Sequence, residues 1–393
     1  MKWNYKNITP QRLLIFNLLL IAIFLIKSCA DEDDELFVPV SNLSEIITAL
    51  PTSIPQPVSN LKSPEKVYLG KQLYWDPILS GNKDISCATC HHPENGYADA
   101  QDLSIGVNGV GQGENRVGTI LAKRNAPTVI NTAFNGLKIG ESLDPLKAPM
   151  FWDNRMVSLE NQALGPPLSE EEMRGTSIPE HEILTVIVSR LNAISGYKKA
   201  FLNAFGSEEI TEEKIGQAIA SFERSLIANN SDFDRYMRGD ETAMTQQQIN
   251  GMNAFINIGC ADCHSGPMFS DYKLHILGIP DNHKRADSDK GDGTYAFRTP
   301  TLRNLTDTAP YMHNGMHQSL TAVLNFYEDL SDGGNVVLNE HVSRNQTDVL
   351  ARNLQMDDDA NNEIIAFLAA LNDDDYDKTI PNTVLSGLKV GGN

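Results

Sequence analysis

The chain has 393 residues and a formal net charge of −19, and 41% of its residues are hydrophobic. This length and composition are sufficient for two domains with buried cores, which excludes a wholly disordered chain. The acidic balance excludes nucleic-acid binding through a basic face and suits a well-solvated surface or a basic protein partner.

The N-terminal segment has a basic flank and an apolar run, "RLLIFNLLLIAIFLIKSC". This pattern is typical of an export signal that ends at a lipoprotein-type cleavage site. We therefore predict a signal peptide over 1–28, lipid on Cys29 and an acidic tether over 29–62. Lys27, close to the cleavage point, leaves an uncleaved N-terminal anchor as the alternative. Either form places the chain in the cell envelope outside the cytoplasm, as a lipid-anchored protein facing the periplasm or exposed on the outer membrane.

Helical patterns dominate the rest of the chain. "SPEKVYLGKQLYWD" begins with Ser63 as N-cap and Pro64 at the first helical position. In "TEEKIGQAIASFERSLIA" the apolar residues Ile215, Ile219 and Phe222 share one helix face. "TQQQINGMNAFINIGC" and "NNEIIAFLAALN" predict two more helices, whereas the Gly-rich stretch "GVNGVGQGENRVG" predicts a loop that wraps a ligand. The predicted class is all-α, with long connecting loops and little β.

Four of the five cysteines form two C-x-x-C-H motifs. The motifs are Cys87, Cys90 and His91 in "SCATCHHP", and Cys260, Cys263 and His264 in "GCADCHSG". In such a motif both thiols bind covalently to haem and the histidine binds its iron. The two motifs take all cysteines but one, so none are left for a disulfide framework. The alternative to haem is a zinc site or a redox dithiol at the C-x-x-C pairs. The sequence predicts two covalent c-type haems.

One motif lies in each half of the chain after the tether. This arrangement predicts two cytochrome c-like domains, each with one covalent haem. The predicted boundaries are 63–240 for the N-terminal domain and 241–372 for the C-terminal domain, with a tail over 373–393.

Seven ordered blocks between residues 63 and 372 resemble the bacterial di-haem cytochrome c peroxidases and are most similar to their MauG-like branch. The blocks are "LGKQLYWDPILS", "SCATCHHP", "RNAPTVINTAFN", "MFWDNRMVSLENQALGP", "GCADCHSGPMFSD", "FRTPTLRNLTDTAPYMHNG" and "LTAVLNFYEDLSDGG". The resemblance implies a peroxidatic N-terminal haem that reacts with hydrogen peroxide and a C-terminal haem that relays electrons from a cytochrome c or similar donor. The alternatives are MauG-like oxidation of a protein side chain through a high-valent di-haem state, and a plain electron carrier.

The resemblance also assigns residues around the N-terminal haem. Glu160 takes the position of the family's acid–base glutamate. The glutamine that often partners it is replaced by Met150, which removes a hydrogen-bond donor. Many relatives use a loop histidine to block the iron at rest, but no histidine lies between His92 and His181. We therefore expect a five-coordinate or water-bound iron at rest, and we interpret His92 as a surface residue.

At the C-terminal haem the resemblance places a second axial ligand on the helix that follows "APYMHNG". The family spacing puts this ligand at Tyr327. We favour Tyr327 because a phenolate ligand lowers the haem potential and stabilises oxidised iron. Met316, His317 and Met356 are rival ligands. His313 is predicted to support the ligands without binding iron.

The resemblance further implies a calcium ion between the domains. The matching oxygen donors are Asn125, Thr308 and Pro310, and hard oxygen ligands suit Ca²⁺. The alternative is a helix-capping asparagine and an ordinary turn. The oligomeric state is open, with a homodimer as one option.

Overall fold

The computed structural model describes residues 40–357 and 360–392. The predicted signal peptide over 1–28 and the lipid-bearing Cys29 lie outside the described residues. The α-helices are α1 (Val40–Leu43), α2 (Pro64–Trp75), α3 (Cys87–Cys90), α4 (Leu159–Gln162), α5 (Gly165–Leu168), α6 (Glu180–Asn192), α7 (Ser195–Phe205), α8 (Glu212–Glu223), α9 (Asp232–Met237), α10 (Gln246–Ile258), α11 (Leu320–Ser331), α12 (Val349–Arg352) and α13 (Asn361–Ala370). A π-helical turn covers Glu170–Arg174, and a 3₁₀ turn covers Cys260–Asp262.

The strands are only two residues long and form two antiparallel pairs. They are β1 (Pro149–Met150) with β2 (Met156–Val157), and β3 (Leu274–His275) with β4 (Phe297–Arg298). The predicted mostly helical class with little sheet is therefore confirmed. No helix within the described ranges is long and apolar enough to cross a bilayer.

Helix α2 begins as the sequence predicts. The Ser63 hydroxyl accepts a hydrogen bond from the Lys66 amide at 3.2 Å, and Pro64 occupies the first helical position, where no backbone donor is needed. Helix α10 begins with a capping box between Thr245 and Gln248 and ends at Gly259, whose φ of 105° requires a glycine. This ending turns the chain directly into the second C-x-x-C-H motif.

The first core forms where α2 packs against α8. Leu69 and Leu73 of α2 and Ile219 and Phe222 of α8 are buried together. The two backbones approach so closely at Gly70 that an added Cβ would overlap the carbonyl oxygen of Ala218. Because α3 carries the first haem motif and packs on α2, this core supports the motif.

The second core repeats this arrangement with α10 and α13. An added Cβ at Gly251 would overlap the carbonyl oxygen of Glu363. Around this crossing an aromatic cluster is buried, with ring centroids 5.2 to 6.2 Å apart, formed by Phe233, Phe255, Phe269 and Phe367. The second haem motif follows α10 and rests on this cluster.

The predicted tether is wrong for its described part. Leu43 and Ile47 are buried in the second core, and Leu50 is buried beside it. Asn60 is also buried and binds the side chain of Glu160. Apolar side chains at these positions gain more from burial than from a free linker, so residues 43–60 belong to the folded body.

The tail that was predicted over 373–393 returns to the first core. Val384 is buried there, and Lys71 of α2 forms an ion pair with Asp377 at 2.6 Å. The hydroxyl of Thr89, inside the first haem motif, donates to the carbonyl oxygen of Gly391 at 2.7 Å. The end of the chain therefore supports the motif of the opposite half of the sequence.

Candidate haem-binding cavity

One cavity of about 600 Å³ reaches both C-x-x-C-H motifs, a volume within the usual range for cofactor sites. Its lining includes all six motif residues, Cys87, Cys90, His91, Cys260, Cys263 and His264. Apolar side chains such as Ile85, Leu159, Ile219, Leu324 and Leu368 form much of the wall. A large flat apolar cofactor with few polar groups suits such a lining.

Each motif histidine is oriented by a backbone carbonyl group. Nδ1 of His91 lies 3.1 Å from the carbonyl oxygen of Tyr97, and Nδ1 of His264 lies 2.9 Å from that of Phe269. A proton on Nδ1 donates to the carbonyl oxygen and leaves Nε2 as the free ligand atom. Burial lowers the pKa of both imidazoles, which favours the neutral form that a metal requires.

The four motif cysteines carry no disulfide among the described residues. Burial raises the pKa of Cys87 and Cys260 to about 12. A thiol held in its protonated form is a poor redox nucleophile, so the environment disfavours a thioredoxin-like dithiol. The residues present fit two haems that are attached through these thiols.

Sequence reasoning missed an ion-paired histidine beside the second motif. His275 lies between two carboxylates, with Nδ1 2.6 Å from Asp348 and Nε2 3.1 Å from Asp271. Hydrogen bonding to Asp271 and Cys263 raises its pKa to about 11, so the ring is an imidazolium. Cys263, Asp271 and His275 could together hold a metal ion. Because Cys263 completes the haem motif, we assign the cluster to the haem site.

Glu160, to which the resemblance assigns the acid–base role, forms an ion pair with Arg224. Its two carboxylate oxygens accept hydrogen bonds from Arg224 at 2.6 and 2.8 Å, and Asn60 donates to it at 3.0 Å. Burial opposes ionisation, but the hydrogen bonds and charge of Arg224 outweigh it and lower the pKa of Glu160. Helix α4 directs Leu159 and Gln162 into the cavity instead. An ion pair with the buried Arg224 holds this carboxylate, and Glu160 is not among the described lining residues.

A different carboxyl group lines the cavity at the first motif. Glu223, the last residue of α8, is 6% exposed, and its Oε2 has no hydrogen-bond partner. Burial raises its pKa to about 8. The sequence gives a weak signal for it, because Glu223 follows Phe222 and interrupts the apolar stripe of α8.

Met150, which replaces the family's glutamine, does line the cavity and is buried. The amide nitrogen of Asn135 lies 3.6 Å from its sulfur atom, so an amide remains close to this position. His92 is not the surface residue that we expected. It is buried against the ring of Trp75 at 5.6 Å, because the chain after the motif folds back onto α2.

The structure separates the rival ligands of the second haem. Tyr327 and Met356 line the cavity with His264, whereas Met316 and His317 are absent from the lining among the described residues. Burial and the nearby Cys263 raise the pKa of Tyr327 above its ordinary value, which keeps the free phenol protonated. Tyr327 therefore stays the predicted ligand, with Met356 as its remaining rival.

His313 lies in the cavity wall and stacks on Phe297 with ring centroids 3.6 Å apart. Burial lowers the pKa of His313 to about 3, so its ring is neutral at ordinary pH. Its carbonyl oxygen accepts a hydrogen bond from the Asn125 amide at 2.8 Å. These contacts join the second half of the chain to the proposed calcium residues.

Asn125, Thr308 and Pro310 line one cavity. The Asn125 side chain donates from its nitrogen to the carbonyl oxygen of Gln101 at 3.1 Å, and this orientation leaves its oxygen available for a cation. The ligand atoms that Asn125, Thr308 and Pro310 can offer to a cation are oxygen atoms, which Ca²⁺ prefers.

Buried arginines add positive charge to the cavity. Arg298 lines it, donates from Nε to the carbonyl oxygen of Phe151 at 3.0 Å, and forms no ion pair with the described residues. Arg124 also lines it but already pairs with Asp153 and Asp289. A guanidinium without an ion-pair partner suits a carboxylate such as a haem propionate. Arg298 is therefore a further candidate haem contact.

Helical halves that each present a C-x-x-C-H motif to a shared cavity define a c-type, haem-binding class of protein. A sequence profile of the di-haem cytochrome c peroxidases matches residues 64–242. The chain is 37% identical to the methylamine utilization protein MauG of Methylorubrum extorquens over 289 residues, which cover 70% of this chain and 72% of that protein. It is 32% identical to the cytochrome c551 peroxidase of Nitrosomonas europaea over 321 residues, which cover 80% of this chain and 81% of that protein.

A crystal structure of a MauG-like protein associated with microbial copper homeostasis has the same fold. The two structures superpose with a TM-score of 0.66, and the two sequences are 28% identical. The match covers 82% of this chain and 95% of the other. The chain belongs to the di-haem cytochrome c peroxidase and MauG family. Membership in this family implies two c-type haems.

Proposed function

We propose that this protein is a di-haem peroxidase that reduces hydrogen peroxide at its N-terminal haem. The C-terminal haem relays two electrons from a cytochrome c or a similar small donor, and with two protons they convert one peroxide into two water molecules. One observation carries the proposal: both haem motifs open on the same cavity, which supports an electron relay close to a peroxide site.

The cysteines and histidines of the two motifs would hold the haems, which supply the redox-active iron. Nε2 of His91 and of His264 would bind the two irons, because each Nδ1 is engaged with a carbonyl group. Arg298 would neutralise a propionate. Tyr327 would be a further residue that holds the second haem, and His313 would pack close to this site.

The N-terminal iron would keep an open position. Besides His91, the histidines that line the described cavity are His264, His275 and His313, and these belong to the second motif, an ion-paired cluster and a stacked ring. The imidazoles of the described lining are thus engaged elsewhere, which supports an iron that peroxide can reach. The predicted loop around residues 106–118 is fixed by Arg116, whose side chain donates to the carbonyl oxygens of Ile105, Gly106 and Gly111.

Asn125, Thr308 and Pro310 would hold a calcium ion between the two halves. The predicted domains, 63–240 and 241–372, would each carry one haem. Lipid on Cys29 would retain the protein at a membrane outside the cytoplasm, and the acidic surface would favour a basic redox partner.

A second function is MauG-like oxidation of a protein side chain. The position of Tyr327 in the cavity favours it, because a phenolate ligand stabilises oxidised iron. A substrate protein would then replace the small electron donor.

The experiment combines intact mass, electron paramagnetic resonance and peroxide turnover of the purified holoprotein. We expect the mass of two added haems, a high-spin ferric signal without prior reduction, and peroxide consumption driven by reduced cytochrome c. Replacing Cys87 and Cys90 by serine should remove one haem and the high-spin signal, whereas the matched Cys260 and Cys263 replacement should keep that signal. Two low-spin irons at rest, with Met150 as one candidate ligand, would contradict an open peroxide site.

A further inference from the structure

Three tyrosines form a line of contacting rings from the first haem motif to the protein surface. Tyr74 lies in the cavity wall, and its hydroxyl group donates a hydrogen bond to the carbonyl oxygen of His91 at 2.9 Å. Its ring centroid lies 6.2 Å from that of Tyr97, and the Tyr97 centroid lies 5.9 Å from that of Tyr376. Both pairs meet edge to face, a usual geometry of aromatic contacts. The line therefore joins the motif that would carry the N-terminal haem to the C-terminal tail.

Exposure to solvent changes along this line. Tyr74 and Tyr97 are buried, with exposed fractions of 1% and 0%, whereas Tyr376 is half-buried. The hydroxyl group of Tyr97 donates to the carbonyl oxygen of Asp377 at 2.5 Å. Both buried phenols therefore bond to carbonyl groups, which accept a hydrogen bond but do not take up the proton. Of the three tyrosines, Tyr376 is the one that can release its proton to water.

The surroundings of Tyr376 permit the loss of an electron and a proton. The Nζ atom of Lys378 lies 4.6 Å from the ring centroid, but Lys378 also forms an ion pair with Asp374 at 2.9 Å. An unpaired cation over the ring would oppose removal of an electron, and the carboxylate of Asp374 reduces this effect. Burial raises the pKa of Tyr376, so its resting side chain is a protonated phenol.

We propose that Tyr74, Tyr97 and Tyr376 form a relay that carries single electrons from the protein surface to the N-terminal haem. This inference rests on the proposed peroxidase function and adds an electron route that does not pass through the C-terminal haem. Electron transfer through protein slows steeply with distance, so contacting rings favour a series of short steps.

Hydrogen peroxide is the oxidant that drives the relay. After peroxide has oxidised the N-terminal haem site, one electron passes to that site from Tyr376 through the rings of Tyr97 and Tyr74. Tyr376 releases its phenolic proton to water and becomes a neutral tyrosyl radical. A small phenol in solution then returns one electron and one proton to Tyr376 and leaves as a phenoxyl radical. Two passages supply the two electrons for one peroxide, and the two released protons balance the two that form water.

Trp75 is the rival end point for the radical. Its ring centroid lies 6.4 Å from that of Tyr74 and 5.6 Å from that of His92. Trp75 is 1% exposed, and its Nε1 has no hydrogen-bond partner among the described residues. An oxidised indole at this position would have neither a base nor water to take its proton, so the line toward Tyr376 is favoured.

The test mixes the two-haem holoprotein with one equivalent of hydrogen peroxide and freezes the reaction within milliseconds. Electron paramagnetic resonance then detects any organic radical, and growth on ring-deuterated tyrosine narrows the signal of a tyrosyl radical. Tyr376→Phe and Tyr97→Phe keep the rings but remove the phenolic hydrogen. The matched control is Tyr68→Phe, which changes an exposed tyrosine on the same helix as Tyr74.

We expect a tyrosyl signal in the unmodified protein that disappears when guaiacol, a small phenol, is added. Tyr376→Phe should lose the signal, because the two remaining phenols have no route for proton release. Tyr97→Phe should also lose it, because the middle ring no longer carries an oxidisable phenol. Tyr68→Phe should keep it. Haem content and the resting absorption spectrum should be the same in all these proteins.

Two results would overturn the relay. One is an unchanged tyrosyl signal in a two-haem Tyr376→Phe protein. The other is a signal that deuterated tyrosine does not narrow, as a radical on Trp75 would give. A protein that oxidises cytochrome c with peroxide but forms no tyrosyl radical would reject the relay and retain the peroxidase function. A two-haem protein whose absorption spectrum does not respond to peroxide would reject the peroxidase function and the relay with it.

Discussion

The two halves of the molecule use the same scaffold and differ in the polar groups that they place at the cavity. In each half a glycine lets two helices cross closely, Gly70 between α2 and α8 and Gly251 between α10 and α13. In each half a carbonyl group orients the motif histidine. The first half then adds the unpartnered carboxyl group of Glu223, whereas the second adds Tyr327.

This difference separates two kinds of haem chemistry. A buried carboxyl group near an open iron position can move protons, as peroxide cleavage requires. A second axial ligand closes the iron position and sets the haem potential, as electron transfer requires. His275, held between Asp271 and Asp348, adds a fixed positive charge on the second side. The two motifs therefore have similar helical surroundings and different neighbouring side chains.

The prediction with the largest expected effect compares how much one ion pair in each half contributes to the free energy of unfolding. The side chains of Arg303 and Asp234 in the second half are buried, and Arg303 Nη1 lies 2.8 Å from Asp234 Oδ2. Asp234→Asn leaves the Arg303 cation without its partner and should lower the free energy of unfolding by roughly 3–5 kcal/mol. Glu160→Gln in the first half should cost less, because Glu160 is partly exposed. Chemical unfolding followed by circular dichroism measures both variants.

Asp240→Asn is a suitable control, since Asp240 is exposed and its side chain accepts hydrogen bonds from Thr242, two residues later. If Asp234→Asn were as stable as this control, the second core would not depend on its ion pair, and the comparison of the two halves would lose this element.

The next expected effect concerns the ligands of the second haem. Tyr327→Met should give a six-coordinate iron of higher potential, with a shift on the order of 100 mV, since axial ligands move haem potentials over about 0.8 V. Spectroelectrochemical titration of the holoprotein measures the change. Met356→Leu is the matched control at the rival position. If Met356→Leu altered the potential and Tyr327→Met did not, Met356 would be the ligand and the MauG-like function would lose its support.

Parts of this arrangement could be read from the sequence and parts could not. Local patterns gave correct predictions for the α2 cap at Ser63 and the α10 capping box, because each depends on residues within one helical turn. The position of Tyr327 at the cavity agrees with the family spacing. The ion pair of Glu160 had no local signal, since Glu160 binds Arg224 across 64 positions of the sequence.

The return of the tail over residues 373–393 was missed for the same reason. Its contacts join Thr89 to Gly391 across 302 positions, and its composition resembles an ordinary surface segment. The packing of Leu43 and Ile47 in the second core was likewise hidden, because the prolines in this segment and its lack of a sustained apolar period suggested a tether. Long-range packing decided each of these cases.

The prediction with the smallest expected effect compares how much stability each close helix crossing loses when a methyl group is added. Gly70→Ala and Gly251→Ala each place a methyl group against a backbone carbonyl oxygen that cannot move without shifting a helix. Overpacking of this kind costs typically about 1–3 kcal/mol, and the higher helix propensity of alanine offsets up to about 1 kcal/mol. Gly196→Ala is the control, because its nearest neighbour is the flexible side chain of Leu385 at 3.4 Å. Thermal unfolding should show lower midpoints for both crossing variants and little change for Gly196→Ala. A Gly251→Ala protein as stable as the control would mean that only the first half depends on a close crossing, and the common scaffold would then be limited to the haem motifs themselves.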